Sequence, residues 1–164
     1  GLPNLNTNTT WTFHTRINVT TQNSQHMLFG TNASELVGGP TVHNGWMVYL
    51  NNGWNMSKTL VIKGGSNGGE IICSEIRIDN NVWYQLIISR DTNNFHIWLY
   101  NESTTELTTV VKSTTGFSFN NTGATYTDLL IFQNQSQGDG AQFNSFTFTG
   151  TKDFLYFRNN FSFI

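Results

Sequence analysis

Apolar and polar residues alternate along much of this chain with a period of two. Between Trp11 and Thr20, odd positions carry Trp, Phe, Thr, Ile and Val, while even positions carry polar residues. Side chains of a β-strand point alternately to opposite faces, so this pattern is typical of a half-buried strand. The segment is predicted to be a strand with one face in a core.

Ten further segments have the length and residue types of strands. They are Gln25 to Gly30, Gly45 to Asn51, Lys58 to Lys63, Glu70 to Ile78, Val82 to Arg90, Asn94 to Tyr100, Thr105 to Lys112, Tyr126 to Gln133, Gln142 to Gly150 and Lys152 to Arg158. Clusters of Asn, Asp and Gly separate them, and these residues accept the positive φ of hairpin turns. No segment has a sustained helical period. Many short strands at regular spacing predict an all-β sandwich or barrel with very little helix.

Length and composition restrict the number of domains and the partners. A chain of 164 residues forms one well-buried core, so residues 1–164 are predicted to be a single domain. Aromatic residues make up 14% of the chain and charged residues 11%, with a net charge of −2. No basic cluster is present to neutralise a phosphate backbone, and no apolar run is long enough to span a membrane. We therefore expect neither nucleic-acid binding nor membrane insertion.

The chain contains one cysteine, Cys73, so no intrachain disulfide can form. Its neighbours Ile71 and Ile72 suggest a strand, and no basic residue or His is adjacent to lower the thiol pKa. Cys73 is predicted to be a small buried hydrophobic residue.

Two segments carry a resemblance to a known family. Val82 to Asp91, the turn Thr92-Asn93-Asn94, and Phe95 to Asn101 resemble the central hairpin of concanavalin A-like and galectin-like domains. The closing segment resembles laminin G and pentraxin-type members; it comprises Phe143, Phe146, Phe148 and Gly150, followed by Lys152 to Phe157. The resemblance implies two antiparallel sheets stacked as a jelly roll, and many members bind carbohydrate. This sequence departs from galectins in lacking their His-x-Asn-x-Arg and Trp-Gly-x-Glu-x-Arg signature.

The galectin strand order places the sugar-binding strands at residues 45–52, 58–63 and 70–76. An aromatic ring can stack on a pyranose, while amides and nearby charges hydrogen-bond its hydroxyls. The predicted glycan-binding residues are therefore Trp46, Tyr49, Asn51, Asn52, Trp54, Asn55, Lys63 and Glu70. Trp54 lies in a turn, where its ring either faces the ligand or caps the end of the sandwich.

The Asn-rich, charge-poor composition and the length are similar to the receptor-binding heads of viral spikes, including the galectin-like heads of rotavirus spikes. The resulting hypothesis is a non-enzymatic lectin-like domain at an extracellular or virion surface. Its partner would be a cell-surface glycan, within a larger oligomeric spike or surface protein.

Two alternatives remain open. The first is a structural or protein-binding domain of a capsid, fibre or adhesin that buries its aromatic face against another chain. The second is a glycosidase of concanavalin-like fold, which would need two acids on one face. Glu70 and Glu75 stand five residues apart, a spacing that sends them to opposite faces of a regular strand unless a bulge intervenes.

No cofactor or metal site is predicted, since the four histidines are scattered. The Asp-bearing loops, at Asp91 with Asn93 and Asn94 and at Asp139, each offer one carboxylate and are interpreted as turns rather than calcium sites. Among the remaining aromatics, Trp83 is predicted to lie in the core and Trp98 to face the opposite side of its strand from Phe95, Ile97 and Leu99.

Overall fold

The computed structural model of the chain describes residues 10–19, 26–30, 46–52, 58–64, 68–119, 130–131 and 141–150, which contain ten strands and no helix. The strands are β1 (Trp11–Val19), β2 (His26–Gly30), β3 (Met47–Asn52), β4 (Lys58–Lys63), β5 (Glu70–Ile78), β6 (Trp83–Arg90), β7 (Asn94–Asn101), β8 (Leu107–Ser113), β9 (Leu130–Ile131) and β10 (Ala141–Gly150). Ten of the eleven predicted strands are thereby confirmed. The eleventh, Lys152 to Arg158, lies outside the described residues.

The strands form two five-stranded antiparallel sheets. Sheet A has the order β10-β1-β6-β7-β8, and sheet B has the order β5-β4-β3-β2-β9. The two neighbours of β1 are distant from it in sequence, since Trp11 pairs with both Arg90 and Gly150. The predicted all-β sandwich of two antiparallel sheets is confirmed.

Aromatic side chains from both sheets meet in one core between them. The Trp11 ring of β1 meets the Phe29 ring of β2 edge to face at 5.8 Å, and Phe13 lies 4.5 Å from the same ring. All three side chains are almost fully buried. Burial of a large apolar side chain stabilises a fold by roughly 1.5–3 kcal/mol, so these rings contribute much of the force that holds the sheets together.

The glycine-rich run after β4 is fixed at both ends by close backbone contacts. The Gly64 amide donates to the Gly69 carbonyl at 2.9 Å, and the Ser118 amide donates to the Gly68 carbonyl at 2.9 Å. A Cβ on Gly68 would lie 2.0 Å from the Gly64 carbonyl oxygen and 2.1 Å from that of Ser118. Only glycine fits here, because both obstructing atoms belong to the backbone.

Cys73 lies in β5 opposite Leu60 and is fully buried in the core. Burial raises the pKa of its thiol to about 12, so the thiol stays protonated at neutral pH. The prediction of a small buried hydrophobic residue is confirmed.

Candidate functional site

The two aromatic residues predicted on β3 and just before it are buried. Trp46 is 2% exposed, and its ring packs 5.0 Å from Phe119 and 6.0 Å from Phe29. It alternates with Val48 and Leu50, so it belongs to the core face of the strand. Tyr49 lies on the other face and is 7% exposed. Neither ring presents a free face to a sugar, which corrects their assignment as stacking residues.

The polar residues predicted for the same site do not form one cluster. Asn51 pairs with Thr59 in the register, whereas Lys63 pairs with Met47 on one side and Glu70 on the other. Thr59 and Lys63 stand four residues apart on β4, or about 13 Å. Asn52 is the register partner of Lys58. Trp54 and Asn55 lie outside the described residues. Among the described members of this set, the register pairs Lys63 directly with Glu70.

A bulge in β5 overturns the strict alternation expected between Glu70 and Glu75. The register passes from Leu60–Cys73 to Thr59–Arg77, which leaves three residues of β5 without partners on β4. Glu75 then reaches Lys112 of β8, with 2.7 Å between the ammonium nitrogen and the carboxylate oxygen. This hydrogen bond lowers the pKa of Glu75. The two acids therefore have different neighbours, Lys112 for Glu75 and Lys63 for Glu70.

The outer face of sheet A carries three partly accessible aromatic side chains, Trp83, Trp98 and Tyr100. In β6 and β7 the core takes Tyr84, Leu86 and Ile88, and Phe95, Ile97 and Leu99. Six residues of the outer side form what we call the aromatic face: Trp83 and Gln85 of β6, Trp98 and Tyr100 of β7, Arg16 of β1, and Glu102 after β7. All but Gln85, which is exposed, are half-buried.

The register arranges this face in rows across the sheet. One row runs from His14 through Ile87 and Trp98 to Thr109, and the next from Arg16 through Gln85 and Tyr100 to Leu107. Trp98 and Tyr100 are therefore neighbours on one strand, about 7 Å apart. The β8 side is open to solvent, because Leu107 is 57% exposed and Val111 is 60% exposed.

A bidentate ion pair forms one end of the aromatic face. Arg16 Nε donates to Glu102 Oε1 at 2.8 Å, and Nη2 donates to Oε2 at 2.7 Å. The guanidinium lies over the Trp83 ring, 4.0 Å from its centroid, and Gln85 Nε2 donates to Glu102 Oε1 at 3.3 Å. The hydrogen bond from Arg16 holds the pKa of the Glu102 carboxyl below its ordinary value.

The turn after β7 sets the position of Glu102. Asn101 Oδ1 accepts hydrogen bonds from the Ser103 amide at 2.9 Å and the Thr104 amide at 3.2 Å. The Glu102 amide itself donates to the Trp83 carbonyl at 3.0 Å. An Asx turn of this kind fixes the backbone locally, so Glu102 is held beside β6 and within reach of Arg16.

The other end of the aromatic face has a second acid and base. His96 Nε2 lies 2.7 Å from Asp91 Oδ2, and the His96 ring stacks on Trp98 with 6.0 Å between centroids. Asp91 Oδ1 accepts from the Asn93 and Asn94 amides, each at 2.7 Å. The hydrogen bonds from His96 and from these two amides lower the pKa of Asp91. Asp91 is thus engaged in its turn, as the sequence predicted, while Asp139 lies outside the described residues.

His14 Nε2 and Asn18 Oδ1 of β1 are buried and have no hydrogen-bond partner among the described residues. Asn18 is 8% exposed and pairs with Trp83 in the register. Buried polar atoms are nearly always bonded, so this edge of the face has unused hydrogen-bonding capacity.

Sequence reasoning placed Trp83 in the core, and the structure places it on the outer face beneath Arg16. The prediction that Trp98 faces away from Phe95, Ile97 and Leu99 is confirmed. The alternation within the two strands could have revealed this. In β6, Trp83 and Gln85 alternate with core residues, and in β7 Trp98 and Tyr100 do the same.

Within the described ranges, no group of three or more His, Cys, Asp or Glu residues is placed to hold a metal ion. In the same part of the chain, no helix has the length and hydrophobicity needed to cross a membrane.

No family model matches this chain, and no curated protein sequence matches it. Solved structures share its fold. The enzymatically active domain of tailspike protein 2 from bacteriophage CBA120 has a TM-score of 0.56 at 16% identity, covering 86% of this chain and 22% of that chain. The laminin α2 LG1-3 region has a TM-score of 0.51 at 15% identity, covering 89% and 29%. A xylan β-1,4-xylosidase from Bacillus halodurans has a TM-score of 0.53 at 10% identity, covering 85% and 27%.

These likenesses show the fold alone. The chain spans between a fifth and a third of the length of each of these three structures. They agree with a β-sandwich domain of a kind that occurs within larger proteins.

Proposed function

We propose that this domain binds a glycan without catalysing its breakdown, and that the sugar lies on the aromatic face. The observation that carries the proposal is the pair Trp98 and Tyr100, neighbours on β7 beside the polar groups of Gln85 and Glu102. Rings of this kind pack against the C–H face of a pyranose, and amide and carboxylate groups bond its hydroxyls. The aromatic face offers both types of contact within a few residues.

The setting proposed for this activity is the head of a viral or phage attachment protein at an extracellular or virion surface. Two observations support it: the charge-poor, Asn-rich composition, and the similarity to a part of a phage tailspike. A cell-surface glycan would be the partner, and the domain would form one part of a larger oligomeric spike.

The absence of catalysis is proposed from the state of the carboxylates. A glycosidase needs a general acid that is still protonated near neutral pH, which requires a raised pKa. On and beside the aromatic face, the pKa values of Glu102 and Asp91 are lowered by Arg16 and by His96 with two backbone amides, respectively. Both groups are therefore ionised and suited to accepting hydrogen bonds.

A glycan array with four proteins tests the proposal: wild type, Trp98→Ala, Ile72→Ala and Lys63→Ala. Ile72 is an exposed apolar residue on sheet B and serves as the matched control for Trp98. Loss of a stacked ring is expected to weaken binding by about tenfold, while the control binds as wild type does.

The other outcomes separate the alternatives. Binding that survives Trp98→Ala and falls with Lys63→Ala would move the site to the strands first predicted, residues 45–70. No binding to any class of glycan would contradict the proposal.

A protein-binding role is the second candidate, and the exposed apolar residues of the sheet edges favour it. Leu107 and Val111 lie on β8 and Ile72 on β5, and these two strands end sheets A and B. Unpaired edge strands with apolar side chains are templates for association. Sedimentation over a range of concentrations tests this role: a stable oligomer that Val111→Lys dissociates would favour protein binding over glycan binding.

A further inference from the structure

We infer that Glu102 is a specificity-determining residue that restricts the aromatic face to neutral glycans by neutralising Arg16. This inference rests on the proposed function and narrows it to a chemical class of ligand. Sugars that carry sialic acid, uronate or sulfate would be excluded.

The Nε–Nη2 edge of the Arg16 guanidinium is occupied by a carboxylate. Its Nε and Nη2 atoms bond the two oxygens of Glu102 at 2.8 and 2.7 Å, and one face of the guanidinium lies on Trp83. Arginine recognises an anion through the same two-pronged geometry. Glu102 therefore occupies the side-on position, at Nε and Nη2, that a ligand carboxylate or sulfate would take.

The groups beside the rings include one arginine and two carboxylates. At the other end of the face, His96 pairs with Asp91, and the Asp91 carboxylate is 48% exposed. The charges of Arg16 and Glu102 cancel, whereas the Asp91 carboxylate is partly exposed to a ligand. An anionic sugar would therefore meet repulsion from the carboxylates, while the charge of Arg16 is already neutralised.

The aromatic face retains hydrogen-bonding groups that a ligand can use. Gln85 is exposed and makes only a long hydrogen bond of 3.3 Å to Glu102. Ionised Glu102 has lone pairs beyond those used by Arg16, which accept hydrogen bonds from hydroxyls. Together with the rings of Trp98 and Tyr100, these groups suit a neutral sugar, which supplies hydroxyl donors and C–H faces.

The test is an array of matched glycan pairs, in which each core oligosaccharide is printed with and without a terminal sialic acid or sulfate. Wild type, Glu102→Gln and Glu75→Gln are compared by the ratio of anionic to neutral binding. Glu75 is the matched control, because it also forms a 2.7 Å ion pair, with Lys112, but lies off the aromatic face.

Wild type is expected to bind the anionic members at least about tenfold more weakly than their neutral partners, since one contact between like charges is enough for this difference. Glu102→Gln frees Arg16 and raises the ratio about tenfold, and Glu75→Gln leaves it unchanged. The double variant Arg16→Gln with Glu102→Gln returns the ratio toward the wild-type value.

Wild-type preference for the anionic members would overturn the inference, as would an unchanged ratio in Glu102→Gln. In both cases, loss of glycan binding in Trp98→Ala would still support the proposed function. No binding to either member of any pair would overturn the proposed function and this inference with it. If Glu102→Gln fails to fold, the salt dependence of wild-type glycan affinity provides the test. An affinity that falls steeply between about 0.05 and 0.5 M NaCl indicates an ionic ligand and contradicts the inference.

Discussion

The outer faces of the two sheets share the same strand alternation but differ in exposure. On sheet B, Met47, Tyr49 and Val61 are buried although they do not belong to the core between the sheets. On sheet A, Trp98 and Tyr100 are half-buried, and Val111 at the edge is 60% exposed. Alternation therefore identifies which residues leave the core but not which of them reach solvent. Trp83, Trp98 and Tyr100, which are partly accessible, lie on the outer face of sheet A.

The largest expected difference between the two faces is in a matched pair of tyrosines. Tyr49→Ala is expected to lower the free energy of unfolding by about 3 kcal/mol, because it removes a buried ring and leaves a cavity. Tyr100→Ala is expected to lower it by less than about 1 kcal/mol, because its ring is partly solvated. Urea denaturation measures both values. Equal losses would show that the two faces are alike in solution.

A matched pair of valines gives the next largest effect. Val61→Thr places a hydroxyl where the side chain is 1% exposed, which is expected to cost about 2 kcal/mol. Val111→Thr makes the same isosteric change at an exposed site and is expected to change stability by less than about 0.5 kcal/mol. Thermal denaturation followed by circular dichroism compares the two. A cost at Val111 would mean that β8 is covered by another chain.

Ile72 shows that burial on the outer side of sheet B does not extend to its edge strand. It is the register partner of Val61 but is 56% exposed, since β5 is the edge strand. Ile72→Thr is expected to change stability by less than about 0.5 kcal/mol. A loss close to that of Val61→Thr would contradict the view that only the centre of this face is withdrawn from water.

The smallest expected effect is the acid sensitivity that comes from the two ends of the aromatic face. The folded-state pKa values of Asp91 and Glu102 are lowered. Their contribution to the free energy of unfolding is therefore complete above the unfolded pKa values of about 4, and it is lost as pH falls through the folded pKa values. Both pairs are partly exposed, so the contribution is small.

Urea midpoints measured from pH 7 to pH 2.5 test this assignment. Asp91→Asn and Glu102→Gln are each expected to lower the midpoint at pH 7 and to reduce its fall with acid. A variant that loses stability equally at every pH would show that its carboxylate acts through packing alone.

Much of the fold follows from local patterns in the sequence. The strand bounds of β4 and β5 were predicted to the residue, since Asn and Gly clusters interrupt each run. The bulge at Ser74 and Glu75 was not predictable, because nothing in that run distinguishes it from a regular strand.

The candidate site was harder to predict than the fold. The galectin strand order predicted a sugar site within residues 45–70, but Trp46 of this region lies in the core. Arg16 and Glu102 stand 86 residues apart, and only the pairing of β1 with β6 and of β6 with β7 brings them together. A contact of this range depends on the sheet order, which local alternation does not specify.

The burial of Cys73 affects how the domain depends on redox conditions. With its one thiol buried and protonated, the described fold has no disulfide to form and no exposed thiol to oxidise. Its stability is therefore expected to be the same in a reducing cytosol and in an oxidising medium. A domain of this kind can fold inside a cell and act outside it without any redox-dependent maturation step.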